Sequence, residues 1–229
     1  GVNGTGKSTL LKIIAGVEES ESGTIIKANK VRIEYLPQNP YYDEEATVLE
    51  QVFKGTSAEM KLIGEYQDIL EKINHTYDEK LNTKLLSLQS KMDDLNLWDL
   101  ESDAKTVLMK LGIKDFNQKI KELSGGQRKR VSLASALITP CELLILDEPT
   151  NHLDNDTIDW LEEYLNKFKG SILMITHDRY FLDRVTNRIL ELDKGRLFSY
   201  EGNYSVFLEK KAERLDLEQS SELKRQNLL

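Results

Sequence analysis

The first residues of the chain have the types and spacing of a phosphate-binding loop. Residues 1–8 fit the pattern G-x-x-x-x-G-K-[ST], and a segment with helical apolar spacing follows and ends at Gly16. Glycines let backbone N–H groups approach a phosphate closely, and the next helix turns its positive N-terminus toward the same anion. Lys7 would reach the β- and γ-phosphates of a nucleotide, and the Ser8 hydroxyl would bind Mg²⁺. The nucleotide-binding residues predicted from this loop are Gly1, Asn3, Gly4, Thr5, Gly6, Lys7, Ser8 and Thr9.

Two carboxylates and a histidine follow short apolar segments that are typical of buried strands. Asp147 and Glu148 follow residues 142–146, and His177 follows residues 171–176. Glu148 and His177 are 29 positions apart, which suits one strand–helix–strand crossover between parallel strands. Ligands of open α/β sheets bind at the edge where such strands end. We therefore expect Asp147 to hold Mg²⁺ and Glu148 to orient or deprotonate a water aimed at the γ-phosphate.

A second glycine pair precedes an apolar-periodic helix predicted at residues 128–138. The turn consists of Ser124, Gly125, Gly126 and Gln127, and free N–H groups at a helix start form a phosphate cradle. Three basic residues in the first turn of the helix oppose its dipole. That arrangement is unfavourable unless an anion or an acidic partner lies nearby. The sequence therefore predicts a second phosphate-binding turn at residues 124–127.

The elements that must position these residues indicate an α/β fold with a helical insertion. Pro37 ends one predicted strand, and Gln38 begins the loop after it. The predicted strands are residues 23–27, 31–36, 142–146, 171–176, 188–193 and 196–200. A short helix is predicted to begin at Thr47, with Thr47 as its cap and Glu50 as the acid of its first turn. Further helices are predicted at residues 57–76, 78–95, 102–111, 128–138 and 155–168. A turn at residues 74–77 makes an antiparallel helical hairpin of the second and third helices.

Composition limits the class of protein. The 229 residues are 39% hydrophobic and 31% charged, which suits one large globular domain or a domain with an appendage. No window approaches the roughly 18 apolar residues of a membrane span. The single cysteine excludes a disulfide within one chain, and we expect a cytoplasmic protein. The net charge of −8 argues against a basic nucleic-acid-binding domain, although a local basic patch is compatible with a negative total.

Taken in order, these motifs resemble those of ATP-binding-cassette (ABC) ATPases. Residues 1–8 correspond to the Walker A loop, and Gln38 corresponds to the Q-loop. Residues 123–127 correspond to the signature, residues 143–148 to Walker B and His177 to the switch element. A finer resemblance is to family F (ABC-F), whose members lack membrane domains and act on the ribosome. It is carried by the segments EPTNHLD at 148–154, HDRYFLD at 177–183 and EGNYS at 201–205.

This resemblance implies a role for each matching residue. Lys7 and the loop amides would bind the phosphates of ATP, and Mg²⁺ or its waters would be held by Ser8, Gln38 and Asp147. Glu148 would be the general base or the group that positions the attacking water, and His177 would contact the γ-phosphate. Ser124, with Gly125, Gly126 and Gln127, would bind ATP held by a different cassette. The residues support a separate nucleotide for this turn, because the phosphates of one ATP need only one primary binding loop and residues 1–8 supply it.

The resemblance also implies a domain plan and partners. Residues 1–202 would form a P-loop ABC nucleotide-binding domain whose helical subdomain covers about 47–138, and residues 203–229 would begin an interdomain linker helix. Family members join two cassettes by a long helical linker, so we expect a truncated first cassette without its N-terminal strands. The 84 residues between Gln38 and Leu123 leave room for at most a short additional arm.

The expected partners are ATP, a second cassette and the ribosome, with no insertion into a membrane. The expected function is an ATPase that serves as a translation factor or protects the ribosome from antibiotics. Because the chain is acidic, its main ribosome contact is expected in the linker and second cassette. The alternative is the ATPase subunit of an ABC transporter, which has the same catalytic residues.

Overall fold

A parallel three-stranded sheet forms the centre of the fold. The computed structural model describes residues 6–53, 58–95 and 97–226. Strands β1 (Ile33–Leu36), β2 (Leu143–Asp147) and β3 (Ser171–Ile175) lie in the order β1-β2-β3, with Ile33 opposite Leu143 and Asp147 opposite Ile175. The middle strand is buried on both faces, which is why it is a continuous apolar run. All three strands end at one edge, as the sequence predicts.

Helices cover both faces of this sheet and extend beyond it. Their bounds are α1 Lys7–Ala15, α2 Val48–Phe53, α3 Ala58–His75, α4 Glu79–Asp94, α5 Leu100–Lys110, α6 Gly125–Ile138, α7 Asn155–Asn166, α8 Arg179–Val185 and α9 Tyr204–Gln226. A 3-10 turn at Ile120–Glu122 precedes α6. Strands β4 (Arg188–Asp193) and β5 (Arg196–Glu201) pair as a separate antiparallel hairpin.

The main core lies between the sheet and the helices α5, α6 and α7. Leu144 and Leu146 point into it from β2, and α6 is buried along most of its length from Val131 to Ile138. Tyr164 of α7 donates a hydrogen bond to the carbonyl of Leu137, 2.8 Å away, and so ties α7 to α6. Helix α1 packs on β1 and β2. Because side chains alternate along a strand, Ile145 and Asp147 lie on the face opposite to this core.

The predicted helical hairpin is confirmed as α3 and α4. Asp78 begins α4 by accepting a hydrogen bond from the N–H of Lys80. The hairpin is anchored at its base, where Met60, Ile63 and Met92 are buried in the core cluster. Its tip is polar and exposed, and includes His75, the last residue of α3.

A clamp of charged and aromatic side chains fixes the start of α9. The Glu191 carboxylate on β4 accepts hydrogen bonds from Lys211, from Arg214 at 3.0 Å and from the Tyr200 hydroxyl at 3.2 Å. The Arg214 guanidinium also lies 3.8 Å from the centre of the Phe198 ring. Beyond Arg214 the described residues of α9 are exposed. The helix therefore lies against the β4–β5 hairpin over its first three turns and then continues into solvent.

The strand predicted at residues 23–27 is wrong. These residues have no regular secondary structure, and Ile25 and Ile26 are exposed. β-Branched residues favour a strand only where a neighbouring strand can pair with them, and none of the described strands does so here. The neighbouring prediction is confirmed in a shorter form, because β1 begins at Ile33 and not at residue 31. Helix α8 is an element that the sequence analysis missed.

One carboxylate in the sheet is expected to make folding stability depend on pH. Burial raises the pKa of Glu34, on β1, to about 7. The folded chain therefore holds this proton more tightly than the unfolded chain, whose carboxyl has a pKa near 4.5. Stability from this group is then lost as the pH rises from about 4.5 to about 7. We expect Glu34→Gln to raise the free energy of unfolding at pH 8 by on the order of 2 kcal/mol and to have little effect at pH 4.5.

Urea unfolding of both proteins at several pH values would test this expectation. Equal stabilities of wild type and variant at pH 8 would contradict it.

Candidate functional site

The start of α1 presents the described part of the phosphate loop. Gly6 has the left-handed backbone conformation (φ 84°), and its carbonyl accepts the N–H of Leu10 at 2.9 Å. Lys7 and Ser8 occupy the first turn of α1, followed by Thr9, which is exposed. Their backbone N–H groups lie at the N-terminal end of a helix, where an anion is favoured. Gly1, Asn3, Gly4 and Thr5 lie outside the described residues.

Glu148 and His177 lie beside each other where β2 and β3 end. The Glu148 carboxylate accepts a hydrogen bond from the His177 N–H at 3.3 Å, and its other oxygen lies 3.3 Å from the Nε2 atom of His177. The Glu148 side chain is only 8% exposed, whereas that of His177 is 63% exposed. The structure thus brings together the two residues that the sequence placed at the ends of adjacent strands.

The backbone around Glu148 is held in a conformation that aims its side chain. Glu148 has a φ of 55°, a left-handed conformation that is uncommon for a residue other than glycine. Its N–H donates to the carbonyl of Ile175 at 2.7 Å, which continues the ladder from β2 to β3. The hydroxyls of Thr150 and Thr176 lie 3.3 Å apart and join the two loops one step further out. Strain of this kind is typical of functional sites.

Gln38 shares a cleft with the two carboxylates. The cleft lies between the loop after β1, the first turn of α6 and the loop after β2, and its lining includes Gln38, Lys129, Asp147 and Glu148. Asp147 is buried at 4% exposure, and Gln38 is exposed. An amide and two carboxylates at the rim of one cleft suit the ligation of a hydrated cation and the positioning of a water.

Ser124 forms a capping box at the start of α6. Its hydroxyl accepts the N–H of Gln127 at 3.2 Å, and the Gln127 side-chain oxygen accepts the Ser124 N–H at 2.9 Å. Ser124 and Gly125 are exposed, and the next residue, Gly126, lies beside His152. The side-chain oxygen of Gln127 is thus engaged within the helix cap. The N–H groups of Gly125 and Gly126 are the donors that this turn can offer to an external phosphate.

The basic residues in the first turn of α6 use backbone carbonyls as partners. Arg128 donates to the carbonyls of Leu123 at 3.2 Å and Lys121 at 3.1 Å, and Arg130 donates to that of Leu111, just after α5, at 3.1 Å. The sequence analysis expected an anion or an acidic partner for these cations. Both arginines thus pair with peptide carbonyls, and the Glu44 carboxylate, 3.6 Å from Arg128, is an acidic partner of the expected kind. The third cation, Lys129, has its Nζ atom 3.5 Å from the Nε2 atom of His152.

The donor set suits a magnesium ion that comes with a nucleotide. Within the residues that the structure describes, no cluster of three or more His, Cys, Asp or Glu could hold a metal by itself. Mg²⁺ is usually held by one or two protein oxygens together with substrate phosphates and waters. A buried carboxylate at Asp147 and a hydroxyl at Ser8 fit that requirement.

The sequence analysis assigned no structural role to the residues that fix α8 and α9. Asp178 begins α8 by accepting the N–H of Phe181 at 3.0 Å, and Asp183 of the same helix accepts the N–H of Ser205, at the start of α9, at 2.7 Å. These are the residues of the HDRYFLD and EGNYS segments. Aspartate before a short helix is a recognisable cap signal, whereas the contact between α8 and α9 depends on the tertiary fold.

The parallel sheet carries the acidic residues at its carboxyl edge, and α1 follows the phosphate-loop sequence. These features define a P-loop nucleotide-binding domain of the ABC type. Family models agree with this class. A model described as "ABC transporter" matches residues 1–151, and a second, an extension model with the same description, matches residues 190–229. The chain belongs to the ABC transporter family, as an ATP-binding domain.

Individual relatives are similar over nearly the whole chain. The Bacillus subtilis protein "Uncharacterized ABC transporter ATP-binding protein YfmR" is 54% identical over 230 residues, covering 100% of this chain and 37% of the relative. The "Energy-dependent translational throttle protein EttA" of Mycobacterium tuberculosis H37Rv is 39% identical over 229 residues, covering 100% of this chain and 41% of EttA.

A similar fold occurs in the crystal structure of a complex of the archaeal ribosomal stalk protein aP1 and the ribosome recycling factor aABCE1. The TM-score is 0.55 at 27% identity, with 87% of this chain and 32% of that chain covered.

The chain thus spans about two fifths of the length of these curated relatives. In the part of the chain that the structure describes, none of the helices has the length and apolar character needed to cross a bilayer.

Proposed function

We propose that this chain is an ATP-binding and ATP-hydrolysing cassette of an ABC-F protein that acts on the ribosome. The observation that carries the enzymatic part is the contact between Glu148 and His177, next to the buried Asp147 at the carboxyl edge of the sheet. Phosphoryl transfer to water needs a bound metal, an oriented water and donors for the γ-phosphate. Asp147 would bind the metal, Glu148 would orient the water, and His177 would donate to the γ-phosphate.

In this proposal Lys7 and the amides of the phosphate loop bind the phosphates, and Ser8, Gln38 and Asp147 hold Mg²⁺ or its waters. The ion would neutralise charge that develops on the phosphates. Glu148 accepts a proton from water or holds that water in line. The low exposure of its carboxylate limits competing contacts with solvent. His177 is exposed and donates toward the γ-phosphate.

The turn at Ser124 supports a catalytic site shared with a second cassette. Ser124 and Gly125 are exposed, and the N–H groups of Gly125 and Gly126, in the first turn of α6, have no acceptor within the helix. They therefore suit the γ-phosphate of a nucleotide on a facing cassette. In this arrangement ATP closes two cassettes and its hydrolysis releases them, so the output is a conformational switch. The relatives are long enough to contain a second cassette, and α9 would be the start of the linker to it.

The ribosome is proposed as the partner because of the relatives and the family F motifs. EttA is named a translational throttle, and its 39% identity extends over the entire chain, α9 included. The aABCE1 structure adds a ribosome recycling factor with the same fold. A cytoplasmic location follows from this role. The EGNYS segment forms the capped entry to α9, which carries the linker in this proposal.

Turnover measurements test both parts of the proposal. Because half of the phosphate donors come from a partner cassette, we expect the 229-residue chain alone to hydrolyse ATP at a negligible rate. The complete two-cassette protein should hydrolyse ATP and be stimulated by ribosomes. Turnover by the chain alone that equals that of the complete protein would contradict the shared site. Stimulation by membranes and not by ribosomes would favour the transporter alternative.

A further inference from the structure

Tyr35 lies one strand away from Asp147 on the same face of the sheet. It occupies β1, where its Cα lies opposite that of Ile145 on β2, two residues before Asp147. Side chains two residues apart share a face of a strand, so Tyr35, Ile145 and Asp147 lie together. A tyrosine is long enough to reach such a diagonal neighbour. The register therefore places Tyr35 diagonally across from Asp147, the carboxylate that is proposed to hold Mg²⁺.

The hydroxyl of Tyr35 is buried, and it has no hydrogen-bond partner among the described residues. The Tyr164 hydroxyl, in contrast, donates to the carbonyl of Leu137 at 2.8 Å. A buried hydroxyl without a partner destabilises the folded state, because it has lost its hydrogen bonds to water. A phenylalanine would supply the same ring without that loss. The tyrosine is therefore better suited to a state in which its hydroxyl has a partner.

Asp147 is the acceptor that the surroundings of Tyr35 offer. Burial raises the pKa of Tyr35, and the negative charge of Asp147 raises it further. A tyrosine hydroxyl is a hydrogen-bond donor, and Asp147 is an acceptor. A carboxylate that binds a metal through one oxygen leaves its other oxygen free to accept such a hydrogen bond, and groups of this kind fix the orientation of metal ligands.

We infer that Tyr35 is a positioning residue for the metal site, which donates its hydroxyl to Asp147 when Mg²⁺ and nucleotide are bound. The inference rests on the proposed binding of Mg²⁺ and ATP. Among the residues that the structure describes the hydroxyl has no partner, and Asp147 in its metal-binding orientation would supply one. Tyr35 thereby favours the orientation of Asp147 that leaves one carboxylate oxygen toward the metal.

The variant Tyr35→Phe separates this role from a structural one. The complete protein would carry it in a background whose second cassette has lost its own phosphate-loop lysine, so that only this site binds nucleotide. We expect the Mg²⁺ concentration for half-maximal binding of a fluorescent ATP analogue to rise about 10-fold, as for other groups that orient metal ligands. Affinity for the analogue in EDTA should not change, and the melting temperature without nucleotide should be equal or higher.

Tyr164→Phe is the matched control, because it removes a hydroxyl that is hydrogen-bonded in the fold. It should lower the melting temperature and leave the Mg²⁺ midpoint unchanged. An unchanged Mg²⁺ midpoint for Tyr35→Phe would overturn the inference, as would a lower melting temperature without nucleotide. If the parent protein itself binds the analogue without any effect of Mg²⁺, the proposed function fails, and the inference fails with it.

Discussion

Replacing Glu148 by glutamine is expected to abolish ATP turnover while leaving ATP binding intact. General bases contribute about 10²–10⁴-fold to rates, so we expect turnover to fall at least about 100-fold. The side-chain oxygen of glutamine can still accept the His177 N–H that Glu148 accepts at 3.3 Å, and the backbone with φ 55° need not move. The variant should therefore fold normally. It should hold ATP in the closed arrangement of two cassettes, because release follows hydrolysis.

Glu142→Gln provides the control for this variant. Glu142 lies just before β2, at the opposite end of the strand from Glu148, and its carboxylate pairs with Arg32 at 2.9 Å. Its loss should affect turnover little, because the carboxylate is far from the carboxyl edge of the sheet. Steady-state phosphate release and the rate of nucleotide dissociation are the measurements. Fast nucleotide release from Glu148→Gln, or turnover near that of the wild type, would contradict the assignment of Glu148.

Gly126→Glu is expected to lower ATP turnover because it blocks the phosphate-binding turn at residues 124–127. Binding of this cassette's own nucleotide should not be affected. A Cβ at Gly126 would meet the Cβ of His152 at 3.7 Å, an ordinary contact, so the substitution fits the fold. A negative charge in the first turn of α6 is favourable to the helix dipole, by about 0.3–1 kcal/mol. The same charge would repel a γ-phosphate presented by a facing cassette. We expect a loss in turnover of about 100-fold, comparable to the loss of one oxyanion donor.

Two further measurements make the interpretation of Gly126→Glu specific. Nucleotide affinity of this cassette should be unchanged, because in the proposed site its own phosphates bind at Lys7 and Ser8. Gly126→Ala adds only the Cβ, so most of the turnover should remain. A large loss of ATP affinity in Gly126→Glu, with the other cassette's site inactivated, would mean that the turn serves this cassette's own nucleotide. That result would contradict the shared site.

The candidate site could be predicted well because its residues stand at strand and helix ends with strong local signals. Pro37 marks the end of β1, and the apolar run before Asp147 marks β2. In a parallel sheet these signals suffice to place Glu148 and His177 at one edge, which the structure confirms. The role of Tyr35 could not be predicted, because its relation to Asp147 depends on the register between β1 and β2. Register is fixed by the whole sheet and not by any local pattern.

The errors in the fold have a similar origin. Residues 23–27 have the composition of a strand, but pairing depends on a neighbour that composition does not reveal. The partners of Arg128 and Arg130 are carbonyls at Leu111, Lys121 and Leu123, which come together only when α5 packs on α6. Such contacts cannot be predicted from the spacing of residues along the sequence. Local caps, in contrast, were predictable, as the Thr47–Glu50 pair at the start of α2 shows.

Co-sedimentation of the complete protein with ribosomes tests the central claim most directly. The protein would carry Glu148→Gln and the equivalent change in its second cassette, so that ATP holds it in the closed arrangement. We expect it to migrate with ribosomes in a sucrose gradient when ATP is present, and to remain at the top of the gradient when ATP is absent. Failure to migrate with ribosomes in ATP, with recovery of the protein in the membrane fraction, would contradict the proposed function.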